Sequence, residues 1–232
     1  MTDKPQVFCF TYAGGAASFF DLMAGDLRSA EWIPLEYAGH GERRKEPFYG
    51  DFNELAEDLL PRILNARNGQ PYALFGYSMG SVAAAEILGR ILGEGKTEPP
   101  KCVFLAAHEP HGKAELAGFD PGKKDEWVKE RTLRFGGIPE KLLNNPAFWR
   151  MYLPVFRADY EMIWKYDFGK LDLRTEIPAE IFYSQEDTPL AEMEKWRRYF
   201  TGECDFHRYE GNHFFILEHH REMAGVLRRR LL

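Results

Sequence analysis

Cysteine is scarce in this chain: three residues in 232, Cys9, Cys102 and Cys204, with no Cys-x-x-Cys pair and no metal-ligand spacing. That excludes a disulfide-stapled secreted scaffold or a zinc module, and leaves three reduced thiols in apolar runs. No apolar run is long enough to span a bilayer. The first residues, Met1-Thr2-Asp3-Lys4-Pro5, lack the basic and apolar regions of a secretory leader. Basic charge is also in short supply. With 30 Lys+Arg against 36 Asp+Glu the net charge is −6, which argues against nucleic acid or an anionic membrane as the main partner. Low-complexity tracts and internal repeats are missing too. The expectation is one globular domain over residues 1–232, in the cytoplasm, with no metal.

What the chain does have is an alternation of strand and helix. Strand-like runs occur at Gln6 to Tyr12, Trp32 to Tyr37, Tyr72 to Tyr77, Lys101 to Ala107, Ala179 to Ser184 and Asp205 to Tyr209. Most are continuously apolar, the mark of strands covered on both faces. Helical patterns fill the gaps at Ala17 to Leu27, Phe52 to Ala66, Met79 to Leu92, Glu192 to Phe200 and His213 to Arg230. The expected fold class is α/β: a mostly parallel sheet flanked by helices.

The interval between Ala107 and Ala179 is far longer than a crossover needs. It carries breaks at Asp120-Pro121-Gly122, Gly136-Gly137-Ile138-Pro139 and Asn145-Pro146, and large apolar residues such as Trp127, Phe135, Trp149, Phe156, Tyr160 and Trp164. An insertion of about this position, 108–176, at the carboxyl edge of a parallel sheet reads as a helical lid over a ligand cleft.

Chemistry enters at Gly76-Tyr77-Ser78-Met79-Gly80, between a strand-like and a helix-like run. A serine in so tight a turn needs small residues two before and two after it, which makes this a nucleophile elbow. A serine hydroxyl needs a base, and the base an orienting acid. Elbow enzymes present them in the order serine, acid, histidine, each at the end of a strand. His213, after the strand ending at Tyr209 and the turn Glu210-Gly211-Asn212, fits the base. His207, His219 and His220 read as packing or surface residues, while His40, His108 and His111 precede any eligible acid. His40 and His108 remain candidates for lining the cleft. Asp187, before the Thr188-Pro189 turn, is the preferred acid, with Glu186 its neighbour and competitor. The expected oxyanion donors are the backbone N–H groups of Met79, opening the helix after the nucleophile, and of Ala13, in Tyr12-Ala13-Gly14-Gly15 after the first strand.

Phe10-Thr11-Tyr12-Ala13-Gly14-Gly15, Phe75-Gly76-Tyr77-Ser78-Met79-Gly80, Leu153-Pro154-Val155-Phe156-Arg157-Ala158-Asp159-Tyr160 and Gly211-Asn212-His213-Phe214-Phe215 together resemble the type II thioesterases, stand-alone α/β-hydrolases that accompany nonribosomal peptide and polyketide synthases. The resemblance spans nearly the whole chain. It implies an α/β-hydrolase fold with a helical lid, Ser78 as nucleophile, Asp187 as orienting acid and His213 as base. It also implies hydrolysis of stalled acyl groups from the phosphopantetheine arm of acyl or peptidyl carrier domains, with no cofactor of the enzyme's own. Many members carry histidine before the nucleophile and Pro-Gly-Arg where this chain has Ala38-Gly39-His40. Tyr77 and His40 are therefore where the acyl cleft's walls are expected to differ. The basic loop Arg43-Arg44-Lys45 reads either as solvated or as a dock for an acidic carrier. Arg228-Arg229-Arg230 suits the negative end of the last helix. A carboxylesterase or acyltransferase would use the same three side chains, whereas a noncatalytic binding protein on this scaffold would have lost one.

Overall fold

Six strands lie in a single parallel sheet in the order β2-β1-β3-β4-β5-β6. The computed structural model describes residues 3–111 and 124–232. The strands are β1 Gln6–Phe10, β2 Glu31–Leu35, β3 Tyr72–Tyr77, β4 Cys102–Ala106, β5 Ala179–Ser184 and β6 Cys204–Tyr209. Every residue of β1, β3, β4 and β5 is buried, as their continuous apolarity requires of strands covered on both faces. The two edges differ. β2 tolerates Pro34 because one side of an edge strand needs no ladder donor, and β6 exposes Asp205 and Arg208, charges that discourage further pairing. All three cysteines are buried free thiols.

β2 flanks β1 on one side, and β3 to β6 extend from it on the other. At the β1/β3 boundary, successive connections therefore leave to opposite sides and open a crevice over the carboxyl ends. The helices are α1 Asp21–Ala24, α2 Phe52–Ala66, α3 Met79–Glu94, α4 Lys124–Phe135, α5 Glu140–Leu143, α6 Pro146–Lys165, α7 Leu190–Met193 and α8 Ile216–Leu231. α2 begins at Asp51, whose side chain accepts from Glu54 N–H at 2.9 Å, and it buries Phe52, Leu55, Leu59 and Ile63 at helical spacing. α8 is fastened to the sheet edge by Arg230, which pairs with Glu180, Glu203 and Asp205. The basic run at this end is thus partly an ionic clamp, in addition to any interaction with the helix dipole. Among the described residues no helix is long and apolar enough to cross a membrane.

Three expected helices are shorter or broken. Ala17 to Leu27 is a 3₁₀ turn, Ala17–Phe20, followed by the single turn α1, which stops before Gly25. Glu192 to Phe200 divides into α7 and a 3₁₀ stretch, Glu194–Arg198. The last helix starts at Ile216 rather than His213, because Asn212 and His213 remain in the turn. The first two strands also end earlier than expected, at Phe10 and Leu35, freeing Thr11 to Gly15 as a loop. α4, α5 and α6 fall between β4 and β5, inside the interval marked as an insertion. Its Asp120-Pro121-Gly122 break lies outside the described residues. α6 starts from Asn145, whose side chain accepts from Ala147 N–H at 2.9 Å, with Pro146 at the first helical position.

The junction of β3 and α3 is held by backbone contact. A Cβ on Gly80 would sit 1.9 Å from the Phe10 carbonyl oxygen, and one on Gly76 would sit 2.2 Å from the Gly80 oxygen. Neither backbone can yield without displacing a strand of the central sheet. Gly93, in the same helix, has open space around it. We expect Gly80→Ala to cost more than about 3 kcal/mol or to abolish soluble expression, and Gly93→Ala to stabilise by about 0.5–1 kcal/mol. Urea unfolding of both variants checks this, and equal effects would refute the close-approach argument.

Candidate active site

Ser78 occupies the turn between β3 and α3 with φ 55° and ψ −120°, a conformation that L-residues rarely adopt. Its N–H donates to Ala106 carbonyl at 2.8 Å, and Ser81 Oγ stitches the first turn of α3 to β4 by donating to the same carbonyl at 2.9 Å. The strained turn lifts the Ser78 hydroxyl off the sheet edge. There it meets His213, whose Nε2 lies 2.9 Å from Ser78 Oγ. His213 Nδ1 lies 2.9 Å from both carboxylate oxygens of Asp187. A carboxylate only accepts, so Nδ1 carries the ring proton, which leaves Nε2 as the acceptor for the serine hydroxyl. The three side chains are nearly dry: Ser78 is 9%, His213 6% and the Asp187 side chain 7% exposed.

Each loop is held from below. Asp187 and Thr188 donate their N–H groups to Ser184 carbonyl at 3.1 and 2.9 Å, forming the turn at the end of β5. Ser184 Oγ donates across to Gly211 carbonyl, tying that turn to the histidine loop. Glu186, the competing acid, is exposed and takes no part. Tyr77 lies beneath the elbow, fully buried, and its hydroxyl donates to His213 carbonyl at 2.7 Å. Burial holds that hydroxyl well above the ordinary tyrosine value, so it stays a donor throughout the accessible pH range. The structure therefore corrects the expectation that Tyr77 shapes the cleft wall: it does not line the cavity but supports the imidazole loop. Nothing in the sequence pattern signalled this contact, which spans from β3 to the turn after β6.

The expected oxyanion donors come from two segments, the start of α3 and the loop after β1. Met79 is the first residue of α3, where N–H groups lack helical acceptors, and Ala13 follows the end of β1 and lines the cavity. Among the described residues neither N–H has a protein acceptor.

The serine and imidazole open into a cavity of about 590 Å³. α6 supplies Phe148, Met151, Tyr152, Val155, Phe156 and Tyr160 to its wall, and the segment after α4 supplies Gly136 to Pro139. Phe135, at the end of α4, lies 4.3 Å from the His213 ring between centroids. His40 lines the cavity as expected; His108 is buried behind it and does not. His207 pairs with Glu180 and His220 with Asp26, both away from the cavity. Of the basic loop, Arg43 turns inward onto Asp58, Glu46 and Tyr49, whereas Arg44 and Lys45 are exposed. Any docking role thus falls to Arg44 and Lys45, because Arg43 is neither solvated nor free. Among the described residues no cluster of His, Cys, Asp and Glu is arranged to hold a metal.

A family model for the thioesterase domain matches residues 5–231. A Streptomyces griseus protein described as a probable cadicidin biosynthesis thioesterase is 30% identical over 220 residues, covering 94% of this chain but 60% of that protein. The chain therefore spans less than two thirds of that relative's length. The medium-chain S-acyl fatty acid synthase thioesterase of Rattus norvegicus is 28% identical over 218 residues, covering 92% of this chain and 82% of that one. Among solved structures, the type II thioesterase BorB from the borrelidin biosynthetic cluster superposes with a TM-score of 0.82 at 28% identity, covering 99% and 93% of the two chains.

Removing the Tyr77 hydroxyl strands the buried His213 carbonyl without altering the cavity wall. We expect Tyr77→Phe to destabilise the protein by about 1–3 kcal/mol in urea unfolding; a change within error would show that the hydroxyl contributes nothing to the histidine loop.

Proposed function

Because the chain belongs to the thioesterase domain family, whose members hydrolyse thioesters, we propose that Ser78, His213 and Asp187 cleave acyl thioesters through an acyl-serine intermediate. One observation carries the reading: an unbroken hydrogen-bonded path from Ser78 Oγ through the imidazole to Asp187, at the floor of a largely apolar cavity. Ser78 Oγ attacks the thioester carbonyl as its proton passes to His213 Nε2. The carbonyl oxygen becomes an anion, met by the N–H groups of Ala13 and Met79. Collapse breaks the carbon–sulfur bond, and the departing sulfur takes the proton from His213 Nε2 and leaves as a free thiol, which returns the imidazole to its neutral form. A thiol's pKa of about 8.5 makes that departure easier than loss of an alkoxide. Water then gives its proton to His213, attacks the acyl carbon and releases the carboxylic acid with the Ser78 hydroxyl restored. Asp187 keeps Nδ1 protonated and stabilises the imidazolium formed in both halves.

The substrate we infer is an acyl group on the phosphopantetheine arm of a carrier domain in nonribosomal peptide or polyketide synthesis. The similarity to proteins described as thioesterases of cadicidin and borrelidin biosynthesis supports this assignment. On this reading α4 to α6 are a lid, the enzyme needs no cofactor, and it works in the cytoplasm beside the synthase. The aromatic wall from α6 suits apolar acyl chains.

Ser78→Ala and Asp187→Asn are each expected to lower kcat on the order of 10⁴-fold, with folding intact by circular dichroism. Across an acylated carrier protein, an acyl-CoA and a simple oxyester, kcat/KM is expected to be highest for the carrier. A strong preference for the oxyester would replace the thioesterase reading with a carboxylesterase.

A further inference from the structure

Asp159 belongs to α6, the helix over the cavity, yet it is only 2% exposed. Its Oδ2 accepts from Gly14 N–H at 2.6 Å and faces His40 Nε2 at 2.9 Å. The other ring nitrogen of His40, Nδ1, faces Ala38 carbonyl at 3.0 Å. A carbonyl and a carboxylate both only accept, so both contacts are hydrogen bonds only when both ring nitrogens carry hydrogen. The imidazolium meets that condition. A neutral ring must turn one lone pair towards an acceptor and lose a bond.

The carboxylate thus joins three separate segments: α6, the loop after β1 that carries Ala13, and the loop after β2 that carries His40. The loop after β1 is braced a second time, since Tyr37 hydroxyl donates to Thr11 carbonyl at 3.1 Å. We propose that Asp159 and His40 are positioning residues for the oxyanion loop, holding Gly14, and with it the neighbouring Ala13 N–H, beneath α6 only while His40 carries its second proton. The proposal rests on the reading of Ala13 as an oxyanion donor.

The groups facing His40 come from several elements. Asp159 approaches from α6, Glu36 and Tyr37 from the segment after β2, and Arg44 lines the same cavity. Burial works against the charged ring, but Asp159, through charge and hydrogen bond, together with Ala38 carbonyl and Glu36, outweighs it and raises the His40 pKa above the ordinary value. Burial first, then Asp159, holds the Tyr37 hydroxyl protonated, so it adds no charge here. Tyr160, beside Asp159 in α6, is pushed up to about 12, chiefly by burial, and is likewise neutral. A raised histidine pKa contributes its full stabilisation below the unfolded value of about 6.5 and loses it as pH rises through the folded value. The oxyanion loop is therefore held on the acid side and released on the alkaline side.

The test uses the whole chain and two readouts. An alkyl fluorophosphonate phosphonylates Ser78 with loss of fluoride, a step that needs the nucleophile and the oxyanion donors but no thioester. Wild-type labelling should fall on the alkaline side, as His40 becomes neutral. Asp159→Asn should slow labelling about tenfold or more on the acid side of the fall, since one oxyanion donor is worth about 10²–10³, and His40→Gln should remove the alkaline limb. If the Asp159 variant does not fold, NMR titration of His40 in the wild-type chain still decides. A His40 pKa at or below about 6.5, an alkaline limb unchanged in His40→Gln, or labelling of Asp159→Asn at the wild-type rate would each overturn the proposal. Labelling that behaves as described, with no thioester hydrolysed, would instead sink the thioesterase reading and leave the positioning role standing.

Discussion

A serine backbone held at φ 55° is the constraint around which the rest of this molecule is arranged. That conformation points the hydroxyl away from the sheet at the end of a fully buried strand. It persists because β3, α3 and β1 approach one another backbone to backbone at Gly76 and Gly80, where a single methyl group would overlap a carbonyl oxygen. The same close packing places the first free N–H of α3 beside the hydroxyl. The serine hydroxyl and a helix N–H that lacks a helical acceptor are thus products of one turn.

The imidazole and carboxylate arrive by a different route. All six strands are parallel, so the loops after β1, β3, β5 and β6 emerge on the same edge. β5 and β6 are neighbours in register from Ala179↔Cys204 to Ser184↔Tyr209, which brings the Asp187 and His213 loops together. Two hydroxyl groups then fix the height of the histidine: Ser184 bonds to Gly211 carbonyl and Tyr77 to His213 carbonyl. The geometry of a three-residue path depends on supporting contacts that touch none of the reacting atoms.

Above this edge, α6 serves two purposes with one face, on which Asp159 falls at helical spacing among the cavity-lining residues. Its aromatic residues wall the cavity, and Asp159 reaches down to Gly14 and His40. A helix over the cavity tied to the loop after β1 by a buried carboxylate is held there more firmly than by apolar packing alone, because a buried pair with one partner missing is costly.

By itself the sequence determined the parallel α/β architecture, the elbow around Ser78 and the identity of the three side chains that meet there. Those signals are local or ordinal: continuous apolar runs, glycines at fixed offsets, and residues waiting at the ends of strands. Short helices were less legible, since α1 and α7 are single turns whose ends depend on neighbouring packing. Only the tertiary structure decided what Tyr77, Arg43, Asp159 and His40 do. Tyr77 faces the histidine loop rather than the cleft, Arg43 turns into the protein, and Asp159 meets a histidine 119 positions away. Each of these roles is a hydrogen bond between segments distant in the chain, and no periodicity or spacing along a polypeptide encodes which polar groups the fold will bury against one another.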